Sequence, residues 1–495
     1  MLLIGACTLL LMAPALLNGR PFLFYDSEQY FNVGERMLEQ VGEVLAPAAA
    51  APAAPAEAAP EAGDVVAREG GRASFYGGRS PAYSVFLVGL TALLGMWAVV
   101  LAQAFLGAAL ITRFVDLVLG GRSAALVLLA AAVCSGVSSA GFHAGLMMPD
   151  MFAGIGVLAL LCLLIGAPRL LEHAVLAGLV FVAATTHQST LGLLVVLTLS
   201  AGLLGLAPLS WKPARGVIAS LAAAIVGAVA LNSAYAAMVE RITGHQLGSA
   251  PYLTARLIGD GTGARYLRER CAGSTLVTCA FATDNYHDHN DFLWGGSGAA
   301  HNFVSAPPEV QRALAEEQAH FVVAVAAAYP LQQAGASIAN AFSQFFAAGV
   351  AEIDHGALRM VREPAFVHSS VIAATPNTAA CVASPAACAH RPPIAGAWQY
   401  LVLIANGVSA LALIGLAGFW AARRWGGDGQ ALAQADRLFA VCVLIVLALV
   451  ANAAICGVLA GAHDRYQARI AWLAPLLLVA LTPFLSKRIA HARRS

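Results

Sequence analysis

The sequence is poor in charged residues. Its 495 residues are 59% hydrophobic and only 11% charged, about half the charged share of a typical soluble domain. Lysine occurs only at Lys212 and Lys487, so arginine carries nearly all of the basic charge. This scarcity of charge excludes an ordinary soluble globular protein. The net charge of +1 gives no field that would favour nucleic acid as a partner.

Long apolar stretches fill much of the chain instead, and many are long enough to cross a hydrocarbon core of about 30 Å. We therefore predict an all-α polytopic membrane protein with about ten transmembrane helices. The predicted spans are 2–18, 96–118, 123–141, 150–166, 172–187, 190–208, 217–237, 399–421, 437–460 and 470–486. The first is interpreted as a retained helix, because it lacks the basic residues and the cleavage site of a signal peptide.

The basic loops decide the predicted orientation. A cytoplasmic N-terminus places basic residues in nearly every short cytoplasmic loop, as the positive-inside rule requires. We predict a bacterial inner-membrane protein with three regions: an N-terminal transmembrane module (1–237), a small periplasmic domain (238–398) and C-terminal transmembrane helices (399–495). The first periplasmic loop, 19–95, contains an Ala/Pro-rich segment, 46–63, which is predicted to be a disordered insertion. A short apolar segment after "GGRSPAY" is interpreted as a helix lying in the membrane interface.

Cysteine usage points to the same orientation. Five of the nine cysteines lie inside apolar spans, where cysteine usually packs as a small hydrophobic residue. The other four form two local pairs in the large outer loop, Cys271 with Cys279 and Cys381 with Cys388. An oxidising compartment favours a disulfide within each pair, with four free thiols as the alternative.

Four polar segments fall at the predicted outer face of the membrane, although they are distant in the sequence. They are Asp26 and Glu28 in "FLFYDSEQYFNVGERML", Arg79 with Tyr83, "FHAGLMMPD" ending in Asp150, and "HDRYQAR" at 463–469. Charged groups beside hydrocarbon are costly, which makes them candidates for function. Arginine binds phosphate through a planar fork of donors, so we predict phosphate contacts for Arg79, Arg465 and Arg469. A carboxylate across the cleft from the arginines would take a proton from an attacking hydroxyl.

At these residues the chain resembles the GT-C glycosyltransferases, membrane enzymes that use polyprenyl- or dolichyl-phosphate sugars and include protein mannosyltransferases and the aminoarabinose transferase of lipid A. The matching motifs, in order, are "YDSEQY" after the first helix, "RSPAY" at 79–83, "MMPD" at 147–150 and "DRYQAR" at 464–469. The resemblance covers most of the transmembrane part. The chain departs from many relatives after the fifth helix, where "TTHQST" places His187 instead of a lysine or arginine.

The resemblance implies a GT-C-like fold and an inverting sugar transferase working at the periplasmic face. Its donor would be a polyprenyl-phosphate-linked sugar, and its acceptor a lipid, a glycan or a protein. It implies that Asp26 is the catalytic base, that Asp150 assists through acceptor or metal contacts, and that Arg465 holds the lipid phosphate. Glu28 takes a supporting role and Tyr466 stands beside the phosphate. Tyr25, Tyr83, His143 and His187 are candidates for lining the substrate pocket.

Simpler interpretations stand beside these. Asp26 and Asp150 could cap helices, Arg465 could be an interfacial anchor next to Tyr466, and His187 could be a satisfied buried imidazole. "HDHND" at 287–291 has ligand types for a divalent metal ion but is typical of a polar loop. No cofactor is predicted beyond that open alternative. The alternative functions are an envelope polysaccharide ligase or polymerase using a lipid-diphosphate donor, a lipid or sugar transporter, and a structural assembly subunit.

Overall fold

The computed structural model describes residues 1–24, 26–45, 79–243, 249–282, 286–295, 301–353, 397–425 and 432–492. These residues form helices and no named strand; a single backbone bridge joins Phe22 to Leu146. Tyr25, the insertion 46–63 and the Cys381/Cys388 pair lie outside the described residues.

The N-terminal half contains ten helices among the described residues. They are α1 (Leu2–Asn18), α2 (Ser27–Leu45), α3 (Pro81–Leu94), α4 (Met96–Leu119), α5 (Ala124–Gly136), α6 (Ala140–Gly145), α7 (Asp150–Ile165), α8 (Leu170–Thr186), α9 (Gln188–Leu206) and α10 (Arg215–Thr243). The later helices are α11 (Tyr252–Gly259), α12 (Thr262–Arg270), a 3₁₀ helix at Val277–Phe281, α13 (His289–Trp294), α14 (Pro308–Ala328), α15 (Pro330–Phe346), α16 (Ala397–Trp425), α17 (Leu432–Leu459), α18 (Asp464–Ala471) and α19 (Leu473–Ala492).

Six of these segments are long and apolar enough to cross a membrane. They are Met96–Leu119, Gln188–Leu206, Arg215–Arg241, Ala397–Ala422, Ala435–Leu459 and Asp464–Phe484. The number becomes seven if α14 and α15, which meet at an angle of 109°, are taken as one broken span. The described chain is therefore all-helical and has the helices of a multi-pass membrane protein. Other predicted spans correspond to shorter apolar helices, including α1, α7 and α8, so the total of ten stays a prediction.

The predicted span 123–141 differs from the structure, because α5 ends at Gly136 and a separate short helix, α6, follows. The serines of the break are committed to tertiary hydrogen bonds. Ser138 Oγ donates to the side chain of Asn406, and Ser139 Oγ donates to the carbonyl of Ala468. The break therefore fastens α5 and α6 to α16 and α18.

A backbone bridge fixes the start of the candidate site. The N–H of Phe22 donates to the carbonyl of Gly145, and the N–H of Met147 donates to the carbonyl of Phe22, both at 2.9 Å. Asp26 follows Phe22 by four residues and Asp150 follows Leu146 by four. Because the two strands of chain run parallel at the bridge, both carboxylates are carried toward the same region.

Helix α7 is the centre of the main core, since every residue from Asp150 to Ile165 is buried.

Helix α3 begins with Ser80 as its N-cap, whose Oγ accepts from the N–H of Tyr83 at 3.1 Å, and with Pro81 in its first turn. This cap fixes the position at which Arg79 enters the structure.

The described residues between 249 and 353, which we call the outer region after their predicted location, contain a second, smaller core built from α11 to α14, with Phe292, Leu314 and Phe321 buried inside it. The predicted disulfide between Cys271 and Cys279 is confirmed. Helix α15 leaves this small core and packs along α17, which ties the outer region to the membrane helices.

Candidate active site at the ends of the apolar helices

Asp26 lies in the turn before α2 and forms an ion pair with Arg79. Arg79 Nη2 lies 2.5 Å from Asp26 Oδ1, and Arg79 Nε donates to Gln29 Oε1 at 2.7 Å. Burial lowers the pKa of Arg79, but the Asp26 carboxylate and other neighbouring groups together raise it more, so the guanidinium is charged. Three residues from the first loop thus hold one another in a fixed arrangement.

Arg465 joins this group from α18, more than four hundred positions after Asp26 in the sequence. Its Nη1 donates to Asp150 Oδ2 at 2.9 Å, and its Nη2 lies 3.8 Å from Asp26 Oδ2. The rings of Phe24 and Tyr466 flank the guanidinium, with centroids 4.1 and 5.0 Å from Cζ. Arg465 is only 5% exposed, and its Nε has no hydrogen-bond partner among the described residues.

The position of Asp26 differs from the expectation that the base would lie across the cleft from the arginines. Asp26 instead forms a close ion pair with Arg79 and a longer one with Arg465, on the same side as both arginines. The physical reason is the partial burial of all three groups, because charges withdrawn from water are stabilised by pairing.

Arg469 lies one helical turn after Arg465 but has different partners. Its Nη2 donates to Ser189 Oγ and to Asn452 Oδ1, both at 2.8 Å, and its side chain is almost fully buried. His187 joins the same network, with Nδ1 at 2.6 Å from Ser189 Oγ. Among the described residues Arg469 has no ion pair with Asp26 or Asp150, although its Nε lacks a partner. Its Nη2 therefore fastens α18 to α9 and α17.

Two aromatic residues, Tyr30 and Tyr83, pack against each other next to the ion pair of Asp26 and Arg79. The rings of Tyr30 and Tyr83 meet edge to face at 5.3 Å, and both side chains are buried. Tyr83 Oη lies 3.3 Å from Gln103 Oε1, while Gln103 Nε2 donates at 3.0 Å to the carbonyls of Ala144 and Leu146. Tyr83 is therefore linked to the segment that leads into Asp150.

His143 has an unusual environment for a polar side chain. It is fully buried, and neither ring nitrogen has a hydrogen-bond partner among the described residues. A buried polar group without a partner costs about 1–3 kcal/mol, so such groups usually have a reason to be retained. Glu28 lies half-buried in the first turn of α2.

The simpler interpretations can be compared with the geometry. The N-cap position of α7 is occupied by Pro149, while the Asp150 carboxylate, in the first turn of the helix, accepts a hydrogen bond from Arg465. In the segment 287–291, Asp288 accepts from the N–H groups of Asn290 and Asp291 and caps α13. Over the described residues, no group of three or more His, Cys, Asp or Glu side chains could hold a metal ion.

Three contributing residues were not identified from the sequence. Gln29 lies inside the quoted "YDSEQY" motif and could have been selected by its spacing from Asp26. Phe24 could have been selected as an aromatic neighbour of that motif. Glu352, which contacts the start of α18, carries no sequence signal, because its partner is 112 residues further along the chain.

Comparisons with protein-family models, with curated proteins and with solved structures give no match for this chain. Its function therefore has to be argued from the site itself.

Proposed function

We propose that this chain is an inverting GT-C-type glycosyltransferase of the bacterial inner membrane, working at the periplasmic face. It would transfer a sugar from a polyprenyl-phosphate donor to a hydroxyl of an envelope acceptor. The proposal combines the motif resemblance with the geometry of Asp26, Arg79, Asp150 and Arg465.

The main support for the proposal is that Arg465 is buried while part of its guanidinium is not engaged in hydrogen bonds to any described residue. A buried guanidinium in a lipid-embedded protein needs a compensating anion. Asp150 engages Nη1, while Nε has no partner among the described residues and Nη2 lies beyond hydrogen-bond distance of Asp26. Nε and Nη2 form the edge of arginine that binds two oxygens of a phosphate in parallel. That edge suits a lipid phosphate.

The proposed reaction has one displacement. The acceptor oxygen forms a bond to the anomeric carbon while the bond from that carbon to the phosphate oxygen breaks, and the lipid phosphate departs with the electron pair. The acceptor proton passes to Asp26, acting as general base. Arg465 stabilises the charge that develops on the leaving phosphate. Asp150 holds Arg465 in position.

The ion pair between Asp26 and Arg79 gives the donor phosphate a second effect. A phosphate that draws the arginine donors toward itself weakens their hold on Asp26, which then becomes a better proton acceptor. Binding of the anionic donor and activation of the base are thereby linked in the proposed mechanism.

The location of the polar groups favours this proposal over transport. Transporters commonly place their binding site near the middle of the bilayer, at broken helices. Here Asp26 follows α1, Arg79 precedes α3, Asp150 begins α7 and Arg465 lies in the first turn of α18. These charges therefore lie at helix ends.

The test is to incubate the purified protein with a panel of polyprenyl-phosphate sugars and measure release of the lipid phosphate. We expect Asp26→Asn to lower turnover by about 10²–10⁴, as for other lost general bases, while donor binding is retained. Glu28→Gln should have a smaller effect. Asp116→Asn is the matched control, because Asp116 is also paired with an arginine, Arg122, but at the other end of α4. Normal turnover in Asp26→Asn would overturn the assignment of the base.

A further inference from the structure

Helix α18, which carries Arg465, has no cap of its own. It begins at Asp464 after His463, whose side chain makes no capping hydrogen bond. The first N–H groups of a helix lack partners within the helix and have to find acceptors elsewhere. An uncapped helix end frays, and Arg465 lies in that first turn.

The missing acceptor comes from Glu352, in the outer segment after α15. Glu352 Oε1 lies 3.1 Å from His463 Nδ1 and accepts from the N–H of Asp464 at 3.4 Å. Burial raises the pKa of Glu352, but the hydrogen bond from His463 and the charge of Arg465 lower it more, so the carboxyl is ionised. A negative charge at this end also opposes the positive end of the helix dipole.

The last turn of α15 holds His463 a second time. Gln344 accepts from the N–H of His463 at 2.9 Å and donates to its carbonyl at 2.8 Å. Gly349 allows close approach, since a Cβ atom there would lie 2.8 Å from Asp464 Oδ2. Residues 344–352 therefore fasten the start of α18 from the side of the outer region.

We propose that Glu352 is a positioning residue that caps α18 in place of a local side chain and so fixes the orientation of the Arg465 guanidinium. The inference rests on the proposed function, in which Arg465 binds the donor phosphate. It also gives the outer region a role in the reaction. Its α15 is fastened to the small outer core, with Asn340 donating to Asp260 at 2.8 Å, and the capping segment follows α15 directly.

The first test measures binding of a long-chain polyprenyl phosphate without its sugar. We expect Glu352→Ala to raise the Kd by about two- to thirty-fold, the range for losing one helix cap. Glu352→Gln, which keeps an acceptor oxygen, should retain part of the affinity. Glu317→Gln is the matched control, because Glu317 also accepts from backbone N–H groups, those of Val277 and Thr278, but lies away from α18. An equal loss in Glu317→Gln would overturn the inference.

The second test separates positioning of Arg465 from a general structural role. If Glu352 acts through Arg465, the Glu352→Ala change should add little to the Kd in an Arg465→Lys background, since coupled residues are not additive. The same factor in both backgrounds would overturn the inference.

The third test needs no donor. Amide hydrogen exchange at residues 464–467 should become faster in Glu352→Ala and stay unchanged in Glu317→Gln. Unchanged exchange in Glu352→Ala would refute the cap even if the protein binds the donor. Failure of the unmodified protein to bind polyprenyl phosphate would count against the proposed function alone, and the exchange result would then decide on the cap.

Discussion

At the scale of single residues, the arginines of the candidate site are distinguished by how many of their hydrogen-bond donors are already engaged. Arg79 uses Nε on Gln29 and Nη2 on Asp26, so it is held within the first loop. Within the described part of the chain, Arg465 uses only Nη1 at hydrogen-bond distance. The two arginines therefore differ in the donors they can offer a new anion, and Arg465 is the stronger candidate for the phosphate.

The first prediction at this scale concerns Arg465→Lys. Lysine keeps the charge but loses the planar fork, so the substitution removes one or more charge-assisted hydrogen bonds. Each is worth about 1.5–3 kcal/mol, and we expect donor affinity to fall by at least about tenfold. The measurement is a binding titration with polyprenyl phosphate. Arg113→Lys is the control, because Arg113 of α4 also pairs with a carboxylate, that of Glu172, at 2.5 Å. Unchanged affinity in Arg465→Lys would remove Arg465 from the phosphate site.

The second prediction concerns His143, whose ring has no hydrogen-bond partner in the described structure. We expect its replacement to affect stability and activity in different ways. Replacing an unsatisfied buried group by an apolar one relieves its desolvation cost, so His143→Leu should leave the Tm unchanged or raise it. Turnover should fall if the imidazole contacts substrate. His173→Leu is the control: it breaks the 2.9 Å contact of His173 Nε2 with Ser220 Oγ, which should lower stability slightly without affecting turnover. Unchanged turnover in His143→Leu would exclude His143 from the pocket.

At the scale of helices, the position of Asp26 and Arg79 depends on how closely α2 crosses α3. Gly34 of α2 faces the backbone of α3, and a Cβ atom there would lie 2.4 Å from the carbonyl oxygen of Ser84. The crossing is therefore closer than any other residue would allow. Asp26 precedes α2 and Arg79 precedes α3, so this contact sets the separation of the ion pair.

The third prediction follows from that contact. Alanine favours a helix over glycine by up to about 1 kcal/mol, so the substitution alone would stabilise a helix. At Gly34 the clash should outweigh this gain, with a loss of about 1–3 kcal/mol and reduced turnover as the ion pair is displaced. Gly89→Ala in α3 is the matched control, since nothing lies within 4 Å of its added Cβ. Equal thermal stability of the two variants would show that the crossing tolerates separation.

The sequence predicts the long apolar helices well, because uninterrupted hydrophobicity is sufficient to define α4, α9 and α17. It did not predict α2, since this helix mixes charged and apolar residues and is stabilised by packing on α3. The break between α5 and α6 was also missed, because its cause is a pair of serine contacts with α16 and α18. Neither the packing of α2 on α3 nor the serine contacts can be inferred from the local sequence.

The same division applies to the site. The motifs selected Asp26, Arg79, Asp150 and Arg465, and the structure brings these four together, because polar residues beside membrane helices are costly and few. Their pairing could not be predicted. The distance between Asp26 and Arg465 depends on the bridge at Phe22 and on the contact of Glu352 with the start of α18. Each of these joins distant parts of the chain.

At the scale of the whole molecule, two charged regions lie at opposite ends of α4. The candidate site is near its start, where Gln103 contacts Tyr83. The second region is near the end of α4. There Arg437 Nη2 donates to the carbonyl of Leu117, and Arg122 Nε lies 3.9 Å from Asp116 Oδ2. Helix α4 has 24 residues, which corresponds to about 36 Å at 1.5 Å per residue. A bilayer crossed by α4 would separate the two regions.

The last prediction uses this separation to test the proposed orientation. Single cysteines replace Arg122, whose side chain is 94% exposed beyond the end of α4, and Arg312, which is exposed on α14 in the outer region. Both are placed in a background with serine at 381 and 388; the five free cysteines of the described residues are buried. A membrane-impermeant maleimide should label Arg312→Cys in cells with a permeabilised outer membrane, because the proposed orientation places α14 in the periplasm. The loop with Arg122 is basic, and the positive-inside rule predicts that it is cytoplasmic. Arg122→Cys should react only after the inner membrane is opened. Labelling of both from the same side would refute the orientation and, with it, a periplasmic site.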